Sequence, residues 1–219
     1  MTIQMGLPVA RIELLDALSV KGVNAYSKLD LPEQPLLLLE FHGSDSSVKE
    51  QAQTFGEIAE DFGSQGFSFT TKPEDRSRLW QARHDAYWAS LALRPGAKGI
   101  STDCCVPVSR LAECVTAAQA KAEELGLIAP VVGHVGDGNF HTLPLIMMDD
   151  PDEVARAKTF VSWLNDLAIS MDGTCTGEHG IGQGKKPYLV RELGAAVDVM
   201  AAIKRAIDPD NIMNPGKII

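Results

Sequence analysis

Four side chains that could ligate a metal or move a proton, His134, His141, Glu178 and His179, lie in two short stretches of this 219-residue sequence, GHVGDGNFH at 133–141 and GTCTGEHGIGQG at 173–184. In the first, Asp137-Gly138 is a preferred dipeptide for a two-residue hairpin turn. A turn centred there pairs Gly136 with Asn139, Val135 with Phe140 and His134 with His141. Directly opposed residues on an antiparallel pair have Cβ atoms roughly 4.5–5.5 Å apart, a separation at which two imidazoles can share one metal ion. Period-2 alternation puts Asn139 on the face of His141, with Val135 and Phe140 turned to the core. The plainer alternative is a hairpin whose histidines cap a sheet edge.

The second stretch holds five glycines in twelve residues and the adjacent pair Glu178-His179. Such density fits no helix or strand interior and predicts a loop that folds closely around something. Glu178 supplies a third candidate ligand. Two histidines and one carboxylate leave positions open on a divalent ion, as catalytic rather than structural sites do. His179 is then a candidate acid or base at the edge of the metal. A solvated glycine linker is the alternative here.

The elements that must position these residues are predicted as follows. A helix starts near Pro8, with Ile12, Leu14, Leu15 and Leu18 on an apolar face, and Val23–Tyr26 is a short extended segment. A buried strand covers Leu36–Phe41. A helix capped among Ser44–Ser47 runs to about Gly63, a strand covers Phe67–Thr71, and a helix opens at Pro73-Glu74-Asp75 and runs to about Leu93. On that last helix Arg83 shares a stripe with Trp80, Tyr87 and Leu91. An arginine there either grips a substrate carboxylate bidentately or pairs with one of the 29 acids. Then come a strand at 100–106, a helix from Pro107 to Leu125, strands at 128–134 and 140–147, a long helix from Asp149, and two short helices broken at Gly194. Helices alternating with five or six strands, one clear hairpin and no phosphate loop between strand and helix indicate α+β architecture with a mainly antiparallel sheet and helices on one side.

Composition narrows the function. A formal net charge of −9, with basic residues scattered and adjacent only at Lys185-Lys186 and Lys204-Arg205, argues against nucleic acid. Apolar runs such as Leu36–Leu39 are too short to span a bilayer. Cys104, Cys105, Cys114 and Cys175 form no C-x-x-C pair and fit a reducing compartment. The expected location is the cytoplasm, or the inner face of the membrane as a peripheral protein.

These residues, with LWQAR at 79–83, DCCVPVSRL at 103–111, TGEHGIGQGKKPYL at 176–189 and DPDNIMNPGKI at 208–218, resemble the C-terminal region of FAD-linked D-2-hydroxyacid dehydrogenases of the vanillyl-alcohol-oxidase-like flavoprotein family. PLLLLEFHG at 35–43 extends the match nearly end to end. The resemblance implies a cap-like substrate domain over 1–219 with a ferredoxin-like antiparallel sheet, and an N-terminal FAD-binding domain that is not in this chain. It implies His134, His141 and Glu178 as ligands of a divalent metal, generally zinc, and His179 as the base. Arg83 matches the grip on the substrate carboxylate and Asn139 a substrate-side amide. Lys185 and the tail around Asn214 match the part that returns to FAD. The implied reaction oxidises a 2-hydroxyacid: the metal polarises the hydroxyl, His179 takes its proton, and hydride passes to the flavin. A flavin-domain chain or an electron-acceptor protein is the implied partner. Two rivals from other classes stand beside this, a zinc-dependent hydrolase using the same His-His-Glu set with a metal-bound water, and a non-catalytic binding module left by domain loss.

Overall fold

The chain enters on a strand where a helix was expected. Val9–Leu15 (β1) has apolar residues at positions compatible with either period, and two strands that pair with it settle the matter. On one side it runs antiparallel to Leu36–Phe41 (β2), pairing Leu15 with Leu36 and Glu13 with Leu38. On the other it runs antiparallel to Val131–His134 (β5), pairing Glu13 with His134. Asp16 then caps the helix Ala17–Ser27 (α1), its carboxylate accepting from the Ser19 N–H at 2.8 Å. The segment Val23–Tyr26, expected to be extended, lies inside this helix.

The computed structural model describes residues 2–219 and resolves into two units. The first, Met1–Pro95 with Pro130–Gly136, holds β1, β2, β5, α1 and the helices Asp45–Asp61 (α2) and Pro73–Ala92 (α3). Leu15, Val20 and Val23 pack with Ala82, Ala86 and Ala89 of α3 to make its core. Ser44 caps α2, and Pro73 opens α3 in the first-turn position proline tolerates. The strand expected at Phe67–Thr71 does not form. Phe67 instead places its ring 5.3 Å from that of Phe55 on α2, so these apolar residues cover a helix and join no ladder.

The second unit, Gly96–Ala129 with Asp137–Ile219, contains short antiparallel pairs and four α-helices among the described residues. Lys98–Gly99 (β3) pairs with Leu145–Ile146 (β7), and Cys104–Cys105 (β4) with Asn139–Thr142 (β6). Of the strand expected at 100–106 only Cys104–Cys105 forms; just before it the Thr102 hydroxyl accepts from the Thr142 N–H at 2.8 Å, so a side chain takes the donor that a ladder carbonyl would accept. The helices are Leu111–Glu124 (α4), Pro151–Ser170 (α5), Lys186–Leu193 (α6) and Ala196–Ile207 (α7), the last two separated at Gly194 as expected. Phe140, Phe160 and Leu164 are fully buried.

The fold is α+β, and every strand pairing described above is antiparallel. The turn before β6 is wider than expected. It covers residues 135–138, so Val135 and Gly136 lie in the turn, and the two-residue register that paired them with Phe140 and Asn139 is not formed. Asn139 is opposite Cys105 and Phe140 opposite Cys104. Gly138 has φ +81°, and a Cβ there would lie 2.1 Å from the Val106 carbonyl oxygen, so only glycine completes this turn.

Candidate metal and proton-handling site

A carboxylate that the sequence reading did not single out organises the glycine loop. Asp103, just before β4, is 1% exposed. Its Oδ1 accepts from the Asn139 amide at 2.9 Å and the Glu178 N–H at 3.2 Å. Its Oδ2 accepts from the Thr176 hydroxyl at 2.9 Å and the His179 N–H at 2.9 Å. Burial alone would raise the pKa of this group, but the hydrogen bonds from His179, Asn139, Thr176 and Glu178 outweigh it and hold the carboxyl well below the usual range. One anion therefore gathers a strand residue and three loop positions, Thr176, Glu178 and His179. In the sequence Asp103 stands only as part of the resembling stretch DCCVPVSRL; a lone acid before a Cys-Cys pair is the signal available.

Gly177 is what lets the loop lie this close. A Cβ at that position would stand 1.5 Å from Asn139 Nδ2 and 2.9 Å from Asp103 Oδ1. Gly177→Ala is expected to push Asn139 off the carboxylate and lower stability by about 2–3 kcal/mol. Urea unfolding checks this: a midpoint equal to that of the parent chain would show that the loop can stand off Asp103 at no cost.

His141 leaves β6 with its orientation set from behind. It is 8% exposed, and its Nδ1–H donates to the Thr102 carbonyl at 2.9 Å. That bond selects the tautomer whose Nε2 carries the lone pair. Nε2 in turn faces Glu178 Oε1 at 3.0 Å. A neutral imidazole nitrogen and a carboxylate oxygen are both acceptors, so their approach is favourable when a proton or a metal cation lies between them. Burial lowers the His141 pKa, against the Thr102 bond and the nearby Asp103 and Glu178 charges, which raise it. The donor set therefore fits a divalent cation. His179 completes the cluster, its ring 5.2 Å from that of His141 and its Nε2 3.7 Å from Glu178 Oε1. Ligand atoms of Asp103, His141 and His179 also lie within 4.8 Å of one another. Both Asp103 oxygens accept from N–H or O–H donors, however, and its part is to hold the loop.

In the first unit the sequence-predicted Arg83 and His134 meet on a second residue that sequence reasoning missed, Glu13 of β1. Arg83 donates to Glu13 Oε2 from Nε at 3.0 Å and from Nη2 at 2.9 Å. His134 Nδ1 lies 2.7 Å from Glu13 Oε1. The alternative weighed for Arg83, an internal ion pair, is thus present, and it uses two of the five guanidinium donors. An acid among the apolar residues of VARIELL was the signal for Glu13.

Two residues matched to flavin contact have other surroundings. Lys185 donates from Nζ to the carbonyls of Asp103 at 2.8 Å and Cys175 at 2.6 Å, bracing the loop from inside. Asn214 is exposed in the tail, with a left-handed φ of 48°. Cys175 is buried beside Glu192; burial and that carboxylate push its thiol up to about 11, which leaves it inert and structural.

An α+β scaffold that brings a buried imidazole from strand β6 against a carboxylate and an exposed second histidine on one braced loop has the make-up of an enzyme domain. The chain belongs to the family of FAD linked oxidases, C-terminal domain, whose sequence model matches residues 1–218. It is 47% identical over 99% of its length to a zebrafish (Danio rerio) protein named "Probable D-lactate dehydrogenase, mitochondrial", of which it covers 44%. It is 42% identical over its full length to the Arabidopsis thaliana "D-lactate dehydrogenase [cytochrome], mitochondrial", covering 39% of that protein. With the glycolate oxidase subunit GlcD of Bacillus subtilis it shares 32% identity over 95% of its length, covering 45% of that subunit. The chain thus spans less than half the length of these relatives. Among solved structures, 4-ethylphenol oxidase from Gulosibacter chungangensis shares the fold with a TM-score of 0.69 at 14% identity, over 95% of this chain and 47% of the other. The expected cytoplasmic or inner-face location is overturned: the D-lactate dehydrogenases of zebrafish, Arabidopsis and Kluyveromyces lactis that it resembles are all named mitochondrial. No helix among the described residues is long and apolar enough to cross a membrane.

Proposed function

We propose that this chain is the substrate- and metal-handling part of an FAD-dependent dehydrogenase that oxidises a D-2-hydroxyacid to the 2-oxoacid. The observation that carries the reading is the 3.0 Å approach of His141 Nε2 to Glu178 Oε1, two acceptors that a divalent cation, zinc by ligand type, would reconcile. His134 is the third ligand in this reading on its residue type and spacing. When bound, the ion would supply Lewis acidity at the substrate oxygen, and FAD, held mostly by residues outside this chain, would supply the hydride acceptor.

The chain's own residues have defined tasks. His179, exposed and beside Glu178, accepts the proton of the 2-hydroxyl. Asn139 offers its amide to the substrate. Arg83, with donors beyond those given to Glu13, binds the substrate carboxylate, and the three contacts together select a 2-hydroxyacid over a simple alcohol.

The test is to purify the chain from its source without stringent washing and record its visible spectrum. A flavin spectrum that bleaches on addition of D-lactate, D-2-hydroxyglutarate or glycolate supports the reading, and the acid that bleaches fastest names the substrate. A flavin that none of them reduces, or ester or amide turnover by the flavin-free protein, would overturn it in favour of the hydrolase.

A further inference from the structure

We infer that Asp103 is the positioning residue of this site, fixing both where the loop residues Glu178 and His179 stand and which end of the Asn139 amide a ligand meets. The inference rests on the metal and substrate reading above for what the site binds, and on geometry of its own for what Asp103 does. The backbone N–H groups of Glu178 and His179 both donate to this carboxylate, at 3.1 and 2.9 Å to Oδ2. The two side chains project from a loop pinned at their own amides, so a shift of Asp103 moves the carboxylate and the imidazole together.

The second consequence concerns recognition. Asn139 is 5% exposed, and its Nδ2 donates to Asp103 Oδ1 at 2.9 Å. A carboxylate can only accept, so this bond excludes the flipped amide. The other end, Oδ1, is buried and has no hydrogen-bond partner among the described residues. A buried acceptor left unpaired costs free energy that a bound group repays. Asp103 therefore makes Asn139 an acceptor, and the chemistry it would recognise is a ligand O–H or N–H donor. A 2-hydroxyacid carries such a donor; its 2-oxoacid product does not. The same amide would then bind the substrate better than the product and favour release after oxidation.

The experiment uses the full chain, as wild type, Asp103→Asn and Thr176→Val, with Co²⁺ as the metal probe followed by its visible absorption and with amide hydrogen exchange followed by NMR. Asp103→Asn is expected to weaken Co²⁺ binding by about 10–100-fold, the usual effect of losing an outer partner of a metal ligand. Exchange at the Glu178 and His179 amides should quicken by about 10-fold or more while that of the α5 amides is unchanged, a local opening that a general loss of stability would not produce. Thr176→Val, which removes one donor and leaves the carboxylate, should move both readouts in the same direction by less, and it serves if Asp103→Asn does not fold. Unchanged exchange at residues 178 and 179 together with unchanged Co²⁺ affinity would overturn the inference. A wild-type chain that takes up no Co²⁺ would overturn the metal reading, and the exchange result would then decide Asp103 by itself.

Discussion

Replacing Glu13 with alanine should cost the fold about 3–5 kcal/mol. Its side chain is 8% exposed and that of Arg83 is 14% exposed, so the pair is largely withdrawn from water. Arginine stays charged at any accessible pH, and losing the carboxylate would leave a guanidinium desolvated with its counter-ion gone. The expense lies in that uncompensated charge more than in the bond itself. Glu13→Gln should therefore be milder, by about 1–2 kcal/mol, since the amide oxygen still accepts from Arg83. It cannot serve Arg83 and His134 with two carboxylate oxygens as Glu13 does, at 2.9 and 2.7 Å. Urea midpoints with the slope held common give both numbers. An alanine variant within about 0.5 kcal/mol of the parent would show an ion pair of the solvated kind that contributes nothing measurable. In the metal reading the same substitution also frees the His134 ring to rotate, since an acceptor on Nδ1 is what fixes the tautomer and direction of a ligating histidine.

His141→Ala is expected to abolish Co²⁺ or Zn²⁺ uptake, with affinity falling by more than the roughly 100-fold that follows loss of an outer partner. His141 is the buried donor of the cluster, and no neighbouring side chain can replace a lone pair aimed by the Thr102 carbonyl at 2.9 Å. The pH dependence has a definite sign. Metal binding competes with protons for the imidazole, and burial holds His141 below its ordinary pKa of 6.5. A histidine at the ordinary value loses its lone pair progressively below that pH, whereas His141 keeps it until the pH falls through the lowered value. Co²⁺ occupancy should thus fall less between about pH 7 and pH 6 than at a site built on an unshifted histidine. In the metal-free chain the same shift makes stability fall as pH drops below about 6.5, because the unfolded state then binds the proton more readily. Isothermal titration at the two pH values checks the first statement. Metal retained in full by the alanine variant would remove His141 from the ligand set.

The antiparallel α+β class, the β2 strand, helices α2, α3 and α5, and the division of the last two helices at Gly194 follow from local chemistry. Each depends on residues near in sequence: an alternating or continuous apolar run, Ser44 or Asp150 as a cap, Pro73 and Pro151 in first turns. The errors lie where distant partners decide. VARIELL suits helix or strand until β2 and β5 flank it, and Phe67–Thr71 has strand composition but packs on α2 instead. The turn at 135–138 was located by Asp137-Gly138, yet its width depends on how Asn139 and Phe140 engage β4.

The same boundary runs through the site. Residue types and glycine spacing point to His134, Asn139, His141, Glu178 and His179 as candidates, because metal ligation and proton transfer call for side chains of that kind and a loop of that flexibility. What each of them faces could not be read along the chain. Glu13 lies 70 residues from Arg83 and 121 from His134, and Asp103 lies 76 from the His179 amide it accepts from. A buried carboxylate is recognised by the donors around it, and donors brought together by tertiary folding leave no periodicity in the sequence. The sequence determined which groups can do chemistry; only the tertiary structure decided which carboxylates hold them, because desolvation and hydrogen bonding act across space and not along the chain.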